Sequence, residues 1–257
     1  MSDTPAVARL AATVLLLRDG PAGLEVFMVE RHYAIDFASG ALVFPGGRVD
    51  AADAAFGDDP AKVLRVAAIR ETFEECGILL ARPRGTARLV NAAELAGIDA
   101  RHRARLNKAE TTLPAIAAAE GLDLADDLLV PWAHWITPAN QAKRYDTHFF
   151  LAVAPADQVG LHDGHESVDS VWITPAAALA GVEAGTYKMV FATHLNLVKL
   201  ARSATVADAI AAARAAPVVT VQPIPLKHDG GKRLLRLPVE AGYGGPDFEV
   251  DLPPAMP

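Results

Sequence analysis

The chain has 257 residues, of which 51% are hydrophobic and 21% are charged, and its formal net charge is -7 at pH 7. This length accommodates one large domain or a core with a sizeable insertion. The negative charge argues against a general nucleic-acid binder, and no uninterrupted apolar run is long enough to span a bilayer. The lone Cys76 excludes an internal disulfide and, with no secretory signal visible in Met1–Arg9, favours a cytoplasmic location.

The first part of the chain predicts several strands followed by a long helix. Apolar runs at Ala11–Leu17 and Leu24–Val29 flank a turn rich in glycine and predict a β-hairpin, and Ala41–Phe44 is a third predicted strand. The pattern then predicts a helix over Pro60–Cys76, after which Ile78–Leu80 resumes extended structure.

The rest of the chain alternates between predicted helices and strands. Residues 91–120 predict two helices, with Pro114 at the start of the second. The later predicted elements are the strands Leu128–Thr137, Thr147–Ala154 and Val168–Ile173, the helices Pro175–Ala184, Lys188–Ala201 and Val206–Ala215, and a hairpin of Val218–Leu226 with Leu234–Pro238. We expect a single α/β domain over residues 1–257, with a helical insertion at about 89–125 and a C-terminal helix and hairpin extension at about 186–257.

The predicted insertion is a candidate lid or homodimer surface, because its helices interrupt a region of strands. It carries a basic cluster that is either a solvated face or a contact for an anionic substrate. The cluster consists of Arg101, His102, Arg103, Arg105 and Lys108.

The end of the long helix holds the most informative motif, Arg70-Glu71-Thr72-Phe73-Glu74-Glu75-Cys76-Gly77-Ile78. Glu71 and Glu75 are four residues apart and lie on one helical face, with Glu74 one residue round, while Phe73 and Cys76 face the other way. Like charges at this spacing repel unless something positive lies between them. A hard divalent cation, which prefers oxygen ligands, is one explanation, and a solvated acidic face is the other.

The segment before this helix favours the first explanation. Phe44-Pro45-Gly46-Gly47 follows an apolar run, so a strand leads into a turn that needs glycine, and five residues later comes the acid Asp53. This order resembles that of the Nudix hydrolases, whose pattern is Gly, five residues, Glu, seven residues, then Arg-Glu-U-x-Glu-Glu-x-Gly-U, where U is bulky and apolar. The resemblance covers the core motif from Gly47 to Ile78.

Three features depart from that pattern. Asp53 stands where the family prefers Glu, Thr72 replaces an apolar residue, and sixteen residues rather than seven separate Asp53 from Arg70. The nine extra residues, roughly Ala54–Lys62, are expected to be a surface extension of the loop before the helix.

A second resemblance indicates a particular subgroup of the Nudix hydrolases. The segments Trp132-Ala133-His134-Trp135-Ile136-Thr137-Pro138 and Arg144-Tyr145-Asp146-Thr147-His148-Phe149-Phe150 resemble the Nudix subgroup that includes the peroxisomal-type coenzyme A diphosphatases. That subgroup is also similar in its lengthened Nudix motif and in the helical insert that follows it. The resemblance implies an α/β/α sandwich with a mixed sheet.

The carboxylate cluster indicates hydrolysis of a phosphoanhydride with the help of Mg2+ or Mn2+. Glu71 and Glu75 are the predicted main metal ligands, Glu74 a ligand or general base, and the Gly47 carbonyl an added ligand. Arg70 is expected to fix the orientation of Glu74, four residues away.

Other residues are weaker candidates. Glu166 is in a late loop, where similar Nudix enzymes carry a carboxylate that binds metal or acts as a base, but it could equally be a surface acid. Arg31 and Arg144 could bind a diphosphate or form structural ion pairs. Phe44 and Tyr145 could stack on a base or pack in the core.

The predicted partner is therefore a small nucleoside diphosphate linked to another group, with no nucleic acid and no membrane. Resemblance to the subgroup favours coenzyme A or an acyl derivative; ADP-ribose, dinucleotides and NADH are alternatives. A non-catalytic Nudix sensor is the alternative from a different class, although such proteins tend to lose the carboxylates that this chain retains.

Overall fold

The structure, a computed structural model, describes residues 6–31, 40–160, 167–229 and 232–251. Its strands are β1 (Arg9–Gly20), β2 (Gly23–Arg31), β3 (Leu42–Val43), β4 (Gly46–Arg48), β5 (Ala81–Pro83), β6 (Leu122–Leu124), β7 (Val130–Ile136), β8 (Tyr145–Val153), β9 (Ser167–Ile173), β10 (Thr220–Val221), β11 (Ile224–Asp229), β12 (Lys232–Arg236) and β13 (Asp247–Asp251). Its α-helices are α1 (Pro60–Cys76), α2 (Ala92–Asn107), α3 (Leu113–Glu120), α4 (Pro175–Glu183), α5 (Phe191–Leu200) and α6 (Val206–Ala215). Short 3₁₀ helices span Ala51–Phe56, Asp126–Leu128 and Val239–Ala241.

The centre of the fold is a mixed sheet in the order β10-β7-β8-β1-β2-β3, with β4 also paired to β1 and β9 to β2. Strands β1 and β8 run parallel from Arg9↔Tyr145 to Leu17↔Val153, whereas β1 and β2 form the predicted antiparallel hairpin. Side chains of a strand alternate between the two faces of its sheet. On β1, Val14 and Leu16 are accordingly buried on one face and Leu15 on the other.

Helices cover both faces of this sheet. Helices α1, α2 and α3 bury apolar side chains with one face, and α4, α5 and α6 do so with the other. A sheet buried on both sides needs continuous apolar strands such as β1. This arrangement confirms the predicted α/β sandwich with a mixed sheet. No helix in the described ranges is long and apolar enough to cross a membrane.

One predicted strand differs from the structure, and one predicted extended segment lies outside the sheets. Residues 78–80, predicted to be extended, are buried and belong to no strand, and β5 begins at Ala81. The predicted strand Val218–Leu226 is divided: β10 pairs in parallel with β7, whereas β11 starts after Pro223 and pairs with β12 in a separate three-stranded sheet. Pro223 cannot donate a backbone hydrogen bond, which favours the break at this point.

The buried segment 78–80 obtains part of its hydrogen bonding from a side chain, besides backbone contacts such as Ala125 N to Leu80 O at 3.0 Å. Gln158 accepts a hydrogen bond from Leu79 N at 3.0 Å and donates to the carbonyls of Leu79 and Val90 at 3.2 and 2.9 Å. Its side chain thereby replaces part of the ladder that a strand would have supplied. The chain leaving α1 is fixed by this contact.

We predict that Gln158→Ala lowers the free energy of unfolding by about 2 kcal/mol or more, because it leaves buried backbone groups without partners. Urea denaturation of both proteins measures the difference. The matched control is Gln222→Ala, which truncates an exposed glutamine and should change stability by less than about 0.5 kcal/mol. A Gln158→Ala protein as stable as the control would contradict the role assigned to this side chain.

The nine extra residues before the motif lie mostly at the surface, as expected, but most of them are helical and do not form a loop. Residues 54–56 complete a 3₁₀ helix and residues 60–62 form the first turn of α1, so only residues 57–59 connect the two. The 3₁₀ helix begins with a capping box in which Asp50 and Asp53 bind each other's backbone. The extra length therefore extends α1 toward its N-terminus and positions Asp53.

Asp53 is completely buried and forms an ion pair with Arg70 of α1. Two hydrogen bonds join them: Arg70 Nε donates to Asp53 Oδ1 at 2.9 Å and Arg70 Nη2 donates to Asp53 Oδ2 at 3.1 Å. Removing one member of a buried pair leaves the other charge uncompensated. The acid that departs from the family pattern thus has a definite structural partner.

Asp53→Ala should lower the free energy of unfolding by about 3 kcal/mol or more. It leaves the buried Arg70 guanidinium without its Asp53 partner and removes half of the capping box. Chemical denaturation is the measurement. Asp58→Ala is the matched control, because Asp58 is exposed in the adjacent connection. This substitution should change the free energy of unfolding by about 0.5 kcal/mol or less. A loss below about 1 kcal/mol for Asp53→Ala would show that the pair contributes little.

Candidate functional site

The acidic C-terminal end of α1 is fixed by the glycine that follows it and by side chains of α2. Gly77 adopts a left-handed conformation at φ 66° and its N–H donates to Phe73 O, which ends the helix. From α2, Arg103 Nε and Asn107 Nδ2 donate to the Glu74 carbonyl at 3.0 and 3.3 Å. Helix α2 therefore caps the helix that carries the motif.

The basic cluster of α2 is mostly used within the insertion. Arg101 forms two hydrogen bonds with Glu120 of α3 at 2.9 and 2.8 Å, and His102 Nε2 lies 2.7 Å from the same carboxylate. Together with the capping role of Arg103, these contacts account for three of the five basic residues. They join α2 to α3 and to α1.

Arg70 is the centre of the motif's polar contacts. Besides Asp53, it donates through Nη1 to Glu71 Oε1 at 2.9 Å and to Glu74 Oε2 at 2.8 Å, and through Nη2 to the Arg48 carbonyl at 2.7 Å. Burial alone would lower the pKa of Arg70, but the hydrogen bond to Asp53 and the surrounding carboxylates outweigh it and raise the pKa. Arg70 thus supplies positive charge between Glu71 and Glu74, while the predicted metal ion stays a prediction.

Glu74 is affected most by this environment. Burial raises the pKa of Glu74 to about 7, Arg70 opposes the rise, and Glu71 adds to it. A carboxylate in this position carries a proton part of the time near neutral pH when no cation is bound. The predicted orientation of Glu74 by Arg70, four residues before it, matches the 2.8 Å contact.

Glu75 is more buried than Glu71 and Glu74. Only 5% of the residue is exposed, and Oε2 accepts a hydrogen bond from Gly46 N at 2.9 Å. A Cβ on Gly46 would lie 2.5 Å from the Ala12 carbonyl, and one on Gly47 would lie 2.5 Å from Glu71 Oε1. The two glycines, which belong to β4 rather than to a free turn, allow the backbone to approach both carboxylates closely.

Glu71 and Glu74 open into a cavity of about 990 Å³, which Gly47 also lines. Strand β8 contributes alternate side chains to its wall, among them Tyr145. Other aromatic walls come from Phe44, Trp135, Phe149 and Phe191. Carboxylates and aromatic rings thus share one large cavity, as is common for small-molecule sites.

Of the residues predicted to contact the substrate, two line the cavity and a third does not. Phe44, 3% exposed, and the half-buried Tyr145 both line the cavity. Arg144 is outside the described lining and donates to the carbonyls of Thr137 and Ala6 at 3.0 and 2.7 Å. It thus holds the start of β8 through backbone contacts.

Two further candidates cannot be placed in this cavity. The backbone of Arg31 ends β2, but its side chain is outside the part that the structure describes. Glu166 falls outside the described residues altogether. Both assignments stay predictions.

Reasoning from sequence missed the contribution of the C-terminal extension. Pro223, Arg233 and Leu235 line the same cavity as the carboxylates, although more than 140 residues separate them from the motif. The cavity also has cationic residues that the motifs did not indicate: Arg9, Arg48 and Lys143. Because side chains alternate between the two faces of a strand, the sequence of β12 could have shown which of its residues share a face. It could not have shown that this face lines the cavity.

A second group of potential metal ligands lies on the opposite side of β7 and β8. One atom each of His134, Asp146 and His148 lies within 4.8 Å of the others. The two imidazoles are stacked, with centroids 3.9 Å apart and 17° between the planes. Because an imidazole nitrogen binds metal in its ring plane, the nearly parallel lone pairs do not converge on one ion.

This histidine pair is held by other contacts. His134 Nε2 lies against Asp146 Oδ1 and its Nδ1 lies 2.8 Å from Thr220 Oγ1. Burial lowers the pKa of His148, the charge of His134 lowers it further, and Asp146 opposes the shift. The group ties β7, β8 and β10 together on the face away from the cavity.

Comparison with known proteins identifies the family and the fold. The family model for the NUDT19 Nudix domain matches residues 55–187. A Nudix hydrolase from Alicyclobacillus acidocaldarius of known structure superposes with a TM-score of 0.72 at 29% identity, covering 80% of this chain and 96% of that one.

Curated relatives are similar at modest identity. The chain is 31% identical over 164 residues to a putative nudix hydrolase 7 of Caenorhabditis elegans, covering 64% of this chain and 51% of that protein. It is 28% identical over 219 residues to the acyl-coenzyme A diphosphatase NUDT19 of Gallus gallus, covering 62% and 56%. The chain thus spans about half the length of these relatives. With the family model matched over half of its residues, the chain belongs to the NUDT19 Nudix domain family.

Proposed function

We propose that this protein hydrolyses the phosphoanhydride bond of a nucleoside diphosphate linked to another group, with Mg2+ or Mn2+ held by the acids of α1. The observation that carries the proposal is the opening of Glu71 and Glu74, beside Gly47, into one large cavity with aromatic walls. Membership of a Nudix family and the names of the relatives support the reaction class.

The residues present fit a hard divalent cation. Three carboxylates, those of Asp53, Glu71 and Glu74, share one guanidinium, so negative charge exceeds positive charge within this group, and Glu75 adds a fourth carboxylate on the same helix. Oxygen donors of this kind suit Mg2+ and Mn2+. Glu71, Glu74 and Glu75 would hold the ion, with the Gly47 carbonyl as a further donor, because the missing Cβ leaves that backbone open to Glu71.

When bound, the cation would neutralise phosphate oxygens and make a bound water more acidic. The chain's own part is to position groups: Arg70 holds Glu71 and Glu74 through one nitrogen, and Gly46 holds Glu75. Either Glu74 or Glu166 would accept the proton of the attacking water. Phe44 and Tyr145 would pack against the nucleoside, since both line the cavity.

Coenzyme A or an acyl derivative is the proposed substrate class. Its support is the resemblance of the segments 132–138 and 144–150 to the coenzyme A diphosphatase subgroup and the similarity to relatives named acyl-coenzyme A diphosphatase. ADP-ribose, dinucleotides and NADH are the alternatives within the same chemistry. A ligand sensor is less well supported, because Glu71, Glu74 and Glu75 are all retained.

Metal dependence is the first test. EDTA should abolish hydrolysis, and Mg2+ or Mn2+ should restore it. Glu71→Gln should lower kcat by about 100-fold or more, the scale of losing a principal electrostatic contact in a transition state. It should also reduce the rise in melting temperature that Mn2+ causes in the wild-type protein.

The matched control is Glu110→Gln, which removes the charge of an exposed glutamate outside the cavity lining. It should keep both the activity and the response to Mn2+. Full hydrolysis in metal-free buffer, or equal loss in both variants, would rule out the proposed role of the acids.

The substrate class is tested by the products. Coenzyme A, acyl-coenzyme A, ADP-ribose, NADH and a dinucleotide are each incubated with protein and Mg2+ or Mn2+, and the products are identified by mass. We expect 3′-phosphoadenosine 5′-phosphate from the coenzyme A substrates at the highest kcat/KM. Preferred release of AMP from ADP-ribose or NADH would select the alternative, and binding without cleavage of any compound would favour the sensor.

A further inference from the structure

Strand β12 of the C-terminal extension presents one face to the cavity and one to solvent. Arg233 and Leu235 line the cavity. Lys232 and Arg236, on the alternate positions, are exposed and pair with Glu249 and Asp247 of β13 at 3.0 and 2.7 Å. The cavity therefore receives Arg233 through the ordinary alternation of a strand.

The Arg233 side chain has an unused donor at this wall. Its Nε is buried and has no hydrogen-bond partner among the residues that the structure describes. Buried donors are nearly always paired, and a guanidinium has five N–H groups but accepts no hydrogen bond. A donor of this kind in the wall of a ligand cavity points to an acceptor that the ligand supplies.

The extension that carries Arg233 is anchored to the cavity wall. Trp135 Nε1 donates to the Tyr243 hydroxyl at 2.9 Å, and that hydroxyl donates to Asn196 Oδ1 at 3.2 Å. Phe248 of β13 also meets Phe191 of α5, with ring centroids 6.0 Å apart. Buried contacts of this type hold the three-stranded sheet against β7 and α5.

The carboxylates and the extension that carries Arg233 contact different strands of the central sheet. Glu75 accepts a hydrogen bond from Gly46 of β4, which pairs with β1, whereas Tyr243 of the extension accepts one from Trp135 of β7. Strand β8 lies between β1 and β7. A diphosphate held at the acids would leave Arg233 to meet another part of the same molecule.

We propose that Arg233 binds a second anionic group of the substrate, a phosphomonoester on the nucleoside, and so selects for nucleotides that carry one. Arginine matches phosphate because its planar fork donates two parallel hydrogen bonds. Lys143 and Arg9 line the same cavity and add positive charge for a dianion. The inference rests on the proposed function and specifies the substrate class of that site.

The test uses ligands without an anhydride bond, so it requires neither turnover nor metal. Calorimetric titration compares AMP with adenosine 2′,5′-bisphosphate and adenosine 3′,5′-bisphosphate, which differ only in the added phosphomonoester and its position. Wild-type protein should bind at least one bisphosphate about tenfold or more tightly than AMP. Arg233→Ala should remove that preference and leave the affinity for AMP unchanged.

Two further variants control for structure. Arg236→Ala removes an arginine from the same strand but from its solvent face and should keep the preference. Arg233→Lys, which retains the charge without the fork, should keep only part of it. Melting curves of all variants establish that each is folded at the temperature of the titration.

The inference is overturned if wild-type protein binds AMP and both bisphosphates equally, or if Arg233→Ala keeps the preference. These results are separate from the fate of the proposed function. Hydrolysis without a preference that depends on Arg233 would refute the inference alone. A preference lost in Arg233→Ala in a protein that cleaves no anhydride would refute the proposed hydrolysis and leave the inference standing.

Discussion

The arrangement of the acids depends on the hydrogen bonds that the buried guanidinium of Arg70 donates. This guanidinium joins Asp53 of the 3₁₀ helix, Glu71 and Glu74 of α1, and the carbonyl of Arg48 at the end of β4. Carboxylates this close together would repel one another, and burial would add a desolvation cost for each. One delocalised cation with five donors relieves both problems at once, which a lysine with a single point charge could not do. Arg70 therefore allows the acidic cluster to exist in the folded protein.

Segments outside the motif shared with the family contact either the acids around Arg70 or the wall of the cavity. The lengthened segment between Gly47 and Arg70 becomes a capped turn and an extra stretch of helix, which bring Asp53 to Arg70. The helical insertion donates two hydrogen bonds to the Glu74 carbonyl at the end of α1. The C-terminal extension closes part of the cavity wall with Arg233 and Leu235. Insertions that look peripheral in the sequence thus contact either the motif or the cavity.

Several parts of the fold could be predicted because they depend on local patterns. The helix Pro60–Cys76 was predicted with the correct ends, since proline can begin a helix, glycine can end one, and the apolar spacing between them is helical. Thr72 departs from the family's apolar residue, yet it is fully buried because its hydroxyl donates to the Ala68 carbonyl at 2.7 Å within the helix. For residues 78–80 the apolar composition indicates burial, whereas their hydrogen bonds with Gln158 follow only from the tertiary structure.

By itself, the sequence determined the family, the mixed sandwich, and the acids Glu71, Glu74 and Glu75 with Arg70 beside them, because spacing along one helix fixes which side chains share a face. Only the tertiary structure decided that Asp53 pairs with Arg70 and that Glu75 is buried against Gly46. It also decided that Arg144 contacts backbone carbonyls, whereas Arg233 lines the cavity. These relations join residues that are distant in sequence, through turns and strand pairings that no local period encodes. Contacts of that kind follow from how the sheets and helices pack together, and a single sequence carries no direct signal for them.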